Sequence, residues 1–341
     1  MPAADRFVRL PKAELHVHLD GSLRPATLLE LARAAHVTLP ATDPAGIRSA
    51  FRADDVRDLD GYLRRFALTV AVLQTPEALE RVAVEMVEDA AHDGVRCLEV
   101  RYCPLLSGEQ GLSLDDAIVA VCRGLRRGAA RFRIHAAMIC CTLRHFDPGQ
   151  SDAIAEAAVR HWSDGVVGFD IAGGEAAHPA APHRSAFGIA VRGGLRITVH
   201  AGEAAGPDSI LEALVECHAE RIGHGTTLYR DPALMTYVRD RRIPVEINLT
   251  SNVQTRVVEA AEHHPLRRYL DEGLVVTLAS DNWLMSDVTL SSEYALATRA
   301  LRLTTGEVRR LALDGFRSAF LPRPVQDVLV AEMAAALDQA E

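Results

Sequence analysis

Short apolar runs rich in β-branched residues alternate along the chain with longer segments whose apolar positions recur at helical spacing. That is the pattern of βα units built around a parallel sheet. Eight runs read as strands: AELHVHL (13–19), RCLEVRY (96–102), RIHAAMI (133–139), VVGFDIA (166–172), LRITVHA (195–201), ERIGHG (220–225), PVEINL (244–249) and LVVTLASD (274–281). ERIGHG is too short to stand on propensity and counts because helical patterns flank it at the right spacing. Eight strands close a (β/α)8 barrel, so the predicted fold class is α/β, a TIM-type barrel, for which about 250 residues are typical. The surplus falls in two stretches, 24–94 and 289–341, and both read as helical. The barrel is therefore expected to carry extra helices after the first strand and at the C-terminus. In the first stretch Leu59, Tyr62, Leu63 and Phe66 fall at i, i+3, i+4 and i+7. They predict one apolar face of a helix, whose plain reading is packing against the barrel. No linker, charge run or low-complexity block divides the sequence, and a single domain over 1–341 is expected.

Charge and composition narrow the function. With 37 Lys and Arg against 46 Asp and Glu the formal charge is −9, which disfavours nucleic acid and anionic membrane surfaces as partners. Lys12 is the only lysine, so a P-loop, a pyridoxal or Schiff-base centre and a kinase would all have to use it, and none of their motifs surrounds it. Six cysteines without a C-x-x-C, in mostly apolar surroundings, read as reduced buried thiols. The N-terminus lacks an apolar signal region and no apolar stretch reaches the roughly 18 residues of a membrane span, so a cytoplasmic location is expected.

The polar residues that break the apolar pattern gather at the C-terminal ends of the strands, where barrel active sites are built. The first strand ends in His16, His18 and Asp20, and the fourth reaches Asp170. The fifth ends in His200, with Glu203 just beyond, the sixth carries His224 and the eighth ends in Asp281 and Asn282. His16 and His18 are two apart on a strand, so both imidazoles face one side and can share an ion. Alone, His-x-His more often marks a hydrogen-bonded pair than a ligand pair; His200 and Asp281 change the balance. Three imidazoles and one carboxylate suit one Zn²⁺ with a position left for water, whose pKa falls to about 7 on the metal. His224 could hold and deprotonate that water, and Glu203 could protonate a substrate. The other histidines are read as surface or packing residues. The helical H-E-x-x-H motif is absent, as are the H-x-E and P-C-x-x-C strings of the other zinc deaminase class. No strand after the first carries a lysine to bridge two metals, which favours a mononuclear site.

At these residues the chain resembles the adenosine deaminase family of the amidohydrolase superfamily. PKAELHVHLDG (11–21), VVGFDIAGGE (166–175), TVHAGE (198–203), RIGHG (221–225), TSN (250–252) and ASDN (279–282) follow the family's order and spacing. The resemblance implies that His16, His18, His200 and Asp281 bind one zinc per chain, that Glu203 donates a proton to purine N1, and that His224 orients and deprotonates the metal-bound water. It implies a ribose contact at Asp20, a backbone contact to purine N3 at Gly173, and a hydrophobic lid made by Leu59, Tyr62, Leu63 and Phe66. Many members have a second aspartate where this chain has Asn282; an asparagine amide donates to purine N7 at any pH, so the contact can survive. The implied partner is a small purine nucleoside, and the implied reaction hydrolytic deamination of adenosine or deoxyadenosine. Three alternatives stand beside it: a 5′-modified adenine nucleoside such as aminodeoxyfutalosine, adenine itself, and a non-catalytic purine-binding relative, against which the intact set of chemical residues argues.

Overall fold

Eight parallel strands form one continuous sheet in sequence order in the computed structural model, which describes residues 3–54 and 58–339. The strands are β1 (Lys12–His18), β2 (Val95–Tyr102), β3 (His135–Leu143), β4 (Val166–Ala172), β5 (Arg196–Ala201), β6 (Arg221–His224), β7 (Val245–Ile247) and β8 (Val276–Leu278). Each coincides with a predicted run. RIHAAMI lies up to four residues early, and the last two runs overestimate strand length because Leu249 already opens a helix and the chain leaves β8 after Leu278.

The barrel closes at a single point. Val17 bridges Asp281 in parallel register, with His18 N–H donating to the Asp281 carbonyl at 2.8 Å and Asp281 N–H to the His16 carbonyl at 2.9 Å. The seam between first and last strands is thus made by residues singled out in the sequence as candidate ligands. The helix Thr305–Ser318 packs across β8 and β1 and covers the seam.

Helices on the outer face explain the mostly apolar strands, since a parallel sheet buried on both sides reads as a hydrophobic run. The exceptions fill the barrel interior. Arg101 on β2 and Arg221 on β6 are fully buried and paired with Glu99, Asp170 and Glu246. Lys12 is buried as well, and its Nζ donates to the Phe7 carbonyl at 2.9 Å, so the sole lysine ties down the N-terminal segment. All six cysteines are free and buried. Among the described residues no helix is long and apolar enough to cross a membrane.

The surplus after β1 forms helices Pro25–Ala34, Pro44–Phe51, Leu59–Leu63, Phe66–Val72 and Pro76–His92, and the C-terminal surplus forms Leu290–Ala300, Thr305–Ser318 and Arg323–Gln339. One expectation is corrected here. Leu59, Tyr62, Leu63 and Phe66 do not share a single helix, because the chain turns at Arg64 and Arg65. There Arg65 donates to the Ala50 carbonyl at 2.7 Å and its N–H to the Tyr62 carbonyl at 3.2 Å, which ends the first helix and restarts the second.

Candidate active site

Four donor atoms converge at the C-terminal mouth of the barrel. His16 Nε2 and His18 Nε2 each lie 3.1 Å from His200 Nε2, and Asp281 Oδ1 lies 3.7 Å from His16 Nε2 and 3.4 Å from His18 Nε2. Nitrogens about 2.0–2.1 Å from a tetrahedral zinc lie about 3.3–3.4 Å from one another, so the spacing fits one such ion. The remaining ring nitrogens explain why these atoms offer lone pairs. His16 Nδ1 donates to Glu246 Oε2 at 2.8 Å and His200 Nδ1 to Asp170 Oδ2 at 3.0 Å, which leaves each Nε2 bare in the neutral ring. Burial, followed by nearby Arg101 and the other imidazoles, holds His16 well below the usual histidine range; burial, Arg101 and Arg144 do the same for His200, and burial and His200 for His18. Neutral rings are what a metal needs. His224 also falls within 4.8 Å of His16, His200 and Asp281. Its Nδ1 faces the amides of Asn252 and Asn248 and its Nε2 faces Glu203, so His18, with Nε2 at 3.1 and 3.4 Å from its neighbours, is the better fourth donor.

Two of these residues sit in the left-handed region without being glycine: His224 and Asp281 both have φ of 63°. Such conformations persist only where the surroundings impose them. For Asp281 the surroundings are the barrel seam and Ser251 Oγ, which donates to Asp281 Oδ2 at 2.6 Å.

Glu203 follows β5 with Oε2 3.7 Å from His224 Nε2. Burial, then the Asp281 and Glu175 carboxylates, pushes its carboxyl well above the usual range, toward the protonated form. Burial also raises Asp20 to about 7. Both groups line a cavity of about 320 Å³ together with His18, Leu59, Tyr62, Leu63, Phe66, Gly173, His200, His224, Asp281 and Asn282. His16 sits behind it, fully buried. Every residue singled out in the sequence is thus brought to one place, and the four apolar positions reach the cavity from two short helices instead of one. Gly173 has φ of 102°, which a side chain rarely adopts. At Gly21 a Cβ would fall 1.7 Å from Asn282 Oδ1, so that glycine makes room for the asparagine. The Tyr62 hydroxyl, on the same cavity, reaches Ser286 Oγ at 3.0 Å. Among the described residues no lysine or arginine lines this cavity, whereas Asp20, Glu109, Glu203 and Asp281 do.

Other contributors were not assigned from the sequence. Arg101 sits beneath the donors, 2.7 Å from Asp170 and paired with Glu246, and so orients the two carboxylates that hold His200 and His16. Glu175 accepts from the N–H groups of Gly202, Ala204 and Ala205 at 2.6, 2.6 and 2.9 Å and from Ser209 Oγ at 2.5 Å, gripping the loop that carries Glu203. In the TSN run, Thr250 N–H bonds Glu293 at 3.1 Å, Ser251 bonds Asp281, and Asn252 bonds His224. One histidine expected to be a surface or packing residue is corrected: His145 lines the cavity. His264 is buried, as a packing residue is, and is bonded to Asn252. Charged residues inside parallel strands, where apolar ones are the rule, were the available signal for Arg101 and Glu246.

A sequence profile described as adenosine deaminase matches residues 11–336. The chain is 38% identical to an adenosine deaminase of Vibrio vulnificus (strain CMCP6) over 328 residues, covering 95% of this chain and 98% of that protein. It is 41% identical over 318 residues to a probable adenosine deaminase of Dictyostelium discoideum, covering 93% of this chain and spanning 41% of that longer protein. Among solved structures, an adenine deaminase from Arthrobacter aurescens aligns with a TM-score of 0.89 at 26% identity, covering 97% of this chain and 98% of that one. An amidohydrolase from Burkhoderia ambifaria with bound Zn aligns with a TM-score of 0.90 at 26% identity, covering 100% and 94%.

Proposed function

The chain belongs to the adenosine deaminase family, and from that premise we propose that it deaminates adenosine and deoxyadenosine with one zinc per chain. Three converging imidazole nitrogens and a carboxylate oxygen, with His16 and His18 standing 3.1–3.7 Å from His200 and Asp281, beside a carboxyl that burial pushes toward its protonated form, carry the reading. His16, His18, His200 and Asp281 would hold the ion, which when bound acidifies and positions water at neutral pH. Glu203, carrying its proton, would protonate purine N1 as the water oxygen bonds to C6; the amino nitrogen then leaves as ammonia and the product is the 6-oxo nucleoside. His224 orients the attacking water. Asp20 takes the ribose, Gly173 offers its backbone to N3, and the Asn282 amide donates to N7. Leu59, Tyr62, Leu63 and Phe66 exclude bulk water from above, which strengthens each polar contact beneath them.

The lining of the cavity supports a nucleoside over its neighbours in chemistry. Among the described lining residues a 5′-phosphate would meet carboxylates and no guanidinium or ammonium group. Adenine alone would leave Asp20, which is 6% exposed, without a partner. A volume of about 320 Å³ is at the small end for ligand pockets and suits an unextended nucleoside better than one with a bulky 5′ substituent. Such an enzyme would serve purine metabolism in the cytoplasm. Ranking kcat/KM for adenosine, deoxyadenosine, adenine, AMP and 5′-extended adenosines by ammonia release tests the assignment. Adenosine and deoxyadenosine should lead, and a lead for AMP or adenine would displace the reading.

A further inference from the structure

His224 stands against the donor cluster, and the cluster leaves its part open. Its Nε2 faces Glu203, and its ring stands 4.9 and 5.2 Å from the rings of His16 and His200. Whether that Nε2 presents a lone pair or a hydrogen is decided at the other ring nitrogen.

The decision can be traced from a backbone amide, which only donates. Leu266 N–H donates to His264 Nδ1 at 3.0 Å, so that nitrogen carries no proton. Burial pushes His264 down to about 3, so the ring is neutral and its one proton sits on Nε2. That Nε2–H donates to Asn252 Oδ1 at 3.1 Å and thereby fixes which way the Asn252 amide points. Asn252 Nδ2 then donates to His224 Nδ1 at 2.9 Å, with Asn248 Nδ2 a second amide donor at 3.3 Å. A ring nitrogen accepting from amide N–H groups carries no hydrogen, and protonating it would set donor against donor. Neutral His224 therefore holds its proton on Nε2, on the side of Glu203 and the metal donors.

We propose that His264 and Asn252 are positioning residues that lock His224 as an Nε2–H donor, so that it holds the attacking water by donating to its oxygen and does not take the water's proton. The inference rests on the deaminase reading and changes the part of base given to His224 by the sequence. The protons then balance on Glu203. It gives its proton to N1 as the oxygen bonds to C6, takes one proton from the water, and passes it to the amino nitrogen, which leaves as ammonia. The proton remaining on the C6 oxygen returns to Glu203 as the 6-oxo group forms.

The test uses zinc-loaded full-length protein with isotopically labelled histidine ring nitrogens, whose correlations to the ring carbon protons report the tautomer of each histidine. Wild type should show His224 protonated at Nε2 and bare at Nδ1. Asn252→Asp, whose carboxylate accepts where the amide donated, should reverse that tautomer, keep its zinc and lose about 10²-fold in kcat. His224→Gln can donate but cannot act as a base. It should run roughly tenfold or more above His224→Ala, since removing a preorganised donor costs about 10²–10³-fold. A wild-type His224 protonated at Nδ1 or on both nitrogens overturns the lock, as does an equal loss in His224→Gln and His224→Ala. If Asn252→Asp does not fold, the wild-type spectrum and the His224 pair still decide. Wild-type protein showing the Nε2–H tautomer but turning over no adenine nucleoside overturns the deaminase reading and leaves the lock standing.

Discussion

Replacing Glu175 by glutamine isolates the loop that carries Glu203 from the residue itself. The carboxylate takes Gly202 N–H and Ser209 Oγ on Oε1, and the N–H groups of Ala204 and Ala205 on Oε2. Glutamine keeps one acceptor oxygen and puts an NH₂ group in place of the other. The Ser209 hydroxyl can rotate and accept, so the least damaging arrangement sets the NH₂ on the Oε1 side and leaves Gly202 N–H facing a donor. Losing that bond to a charged group costs about 1.5–3 kcal/mol, and the other three bonds lose about 1 kcal/mol each with the charge. The loop can recover much of the latter only by moving, and movement displaces Glu203. We predict a kcat loss of about 10²-fold, equivalent to about 2.7 kcal/mol at 1.36 kcal/mol per decade. Zinc content should be unchanged, because His200 belongs to β5 and is held by Asp170. Steady-state kcat on adenosine, metal analysis and a double-mutant cycle with Glu203→Gln make the assay. If Glu175 acts through Glu203, the double variant loses no more than Glu203→Gln alone. Additive losses, or a Glu175→Gln kcat within about threefold of wild type, would refute the reasoning.

Extensively dialysed protein should retain one equivalent of zinc by elemental analysis, and His16→Ala or Asp281→Ala should lose it; two equivalents in active protein would contradict the mononuclear site. Glu203→Gln should keep zinc and fold while losing about 10²–10⁴ in kcat. Because burial raises the Glu203 carboxyl and its protonated form is the active one, kcat should be full below that raised pKa and fall as pH rises through it; Glu203→Gln should abolish this alkaline limb in whatever activity remains. A 7-deaza adenosine, which leaves the Asn282 donor unpaired, should cost roughly 1–3 kcal/mol, about one to two decades in kcat/KM. That penalty should largely vanish in Asn282→Ala, and an equal penalty in both proteins would place recognition of N7 elsewhere.

The residues proposed to hold the metal were legible as a cluster because they lie at or near strand ends, where polar residues interrupt an apolar run and the barrel topology brings the ends together. What supports them was not. Glu246 lies 230 positions from His16, and Asp170 lies 69 from Arg101; nothing local in PVEINL or VVGFDIA names a partner at that distance. His264 fell among the unassigned histidines because its bond to Asn252 depends on a turn at Pro265 and Leu266 that periodicity does not predict. The apolar cavity residues Leu59, Tyr62, Leu63 and Phe66 stand out by helical spacing even though a turn at Arg64 and Arg65 divides their helix. The spacing survives because both halves face the same cavity.

In the proposed reaction water replaces the amino group of adenosine at C6. Zinc-loaded protein incubated with adenosine in heavy-oxygen water should yield inosine with one heavy oxygen on the base and one ammonia per inosine, by mass spectrometry and ammonia assay. Adenine and ribose as products, or adenosine returned unchanged under conditions in which adenine is consumed, would contradict the account.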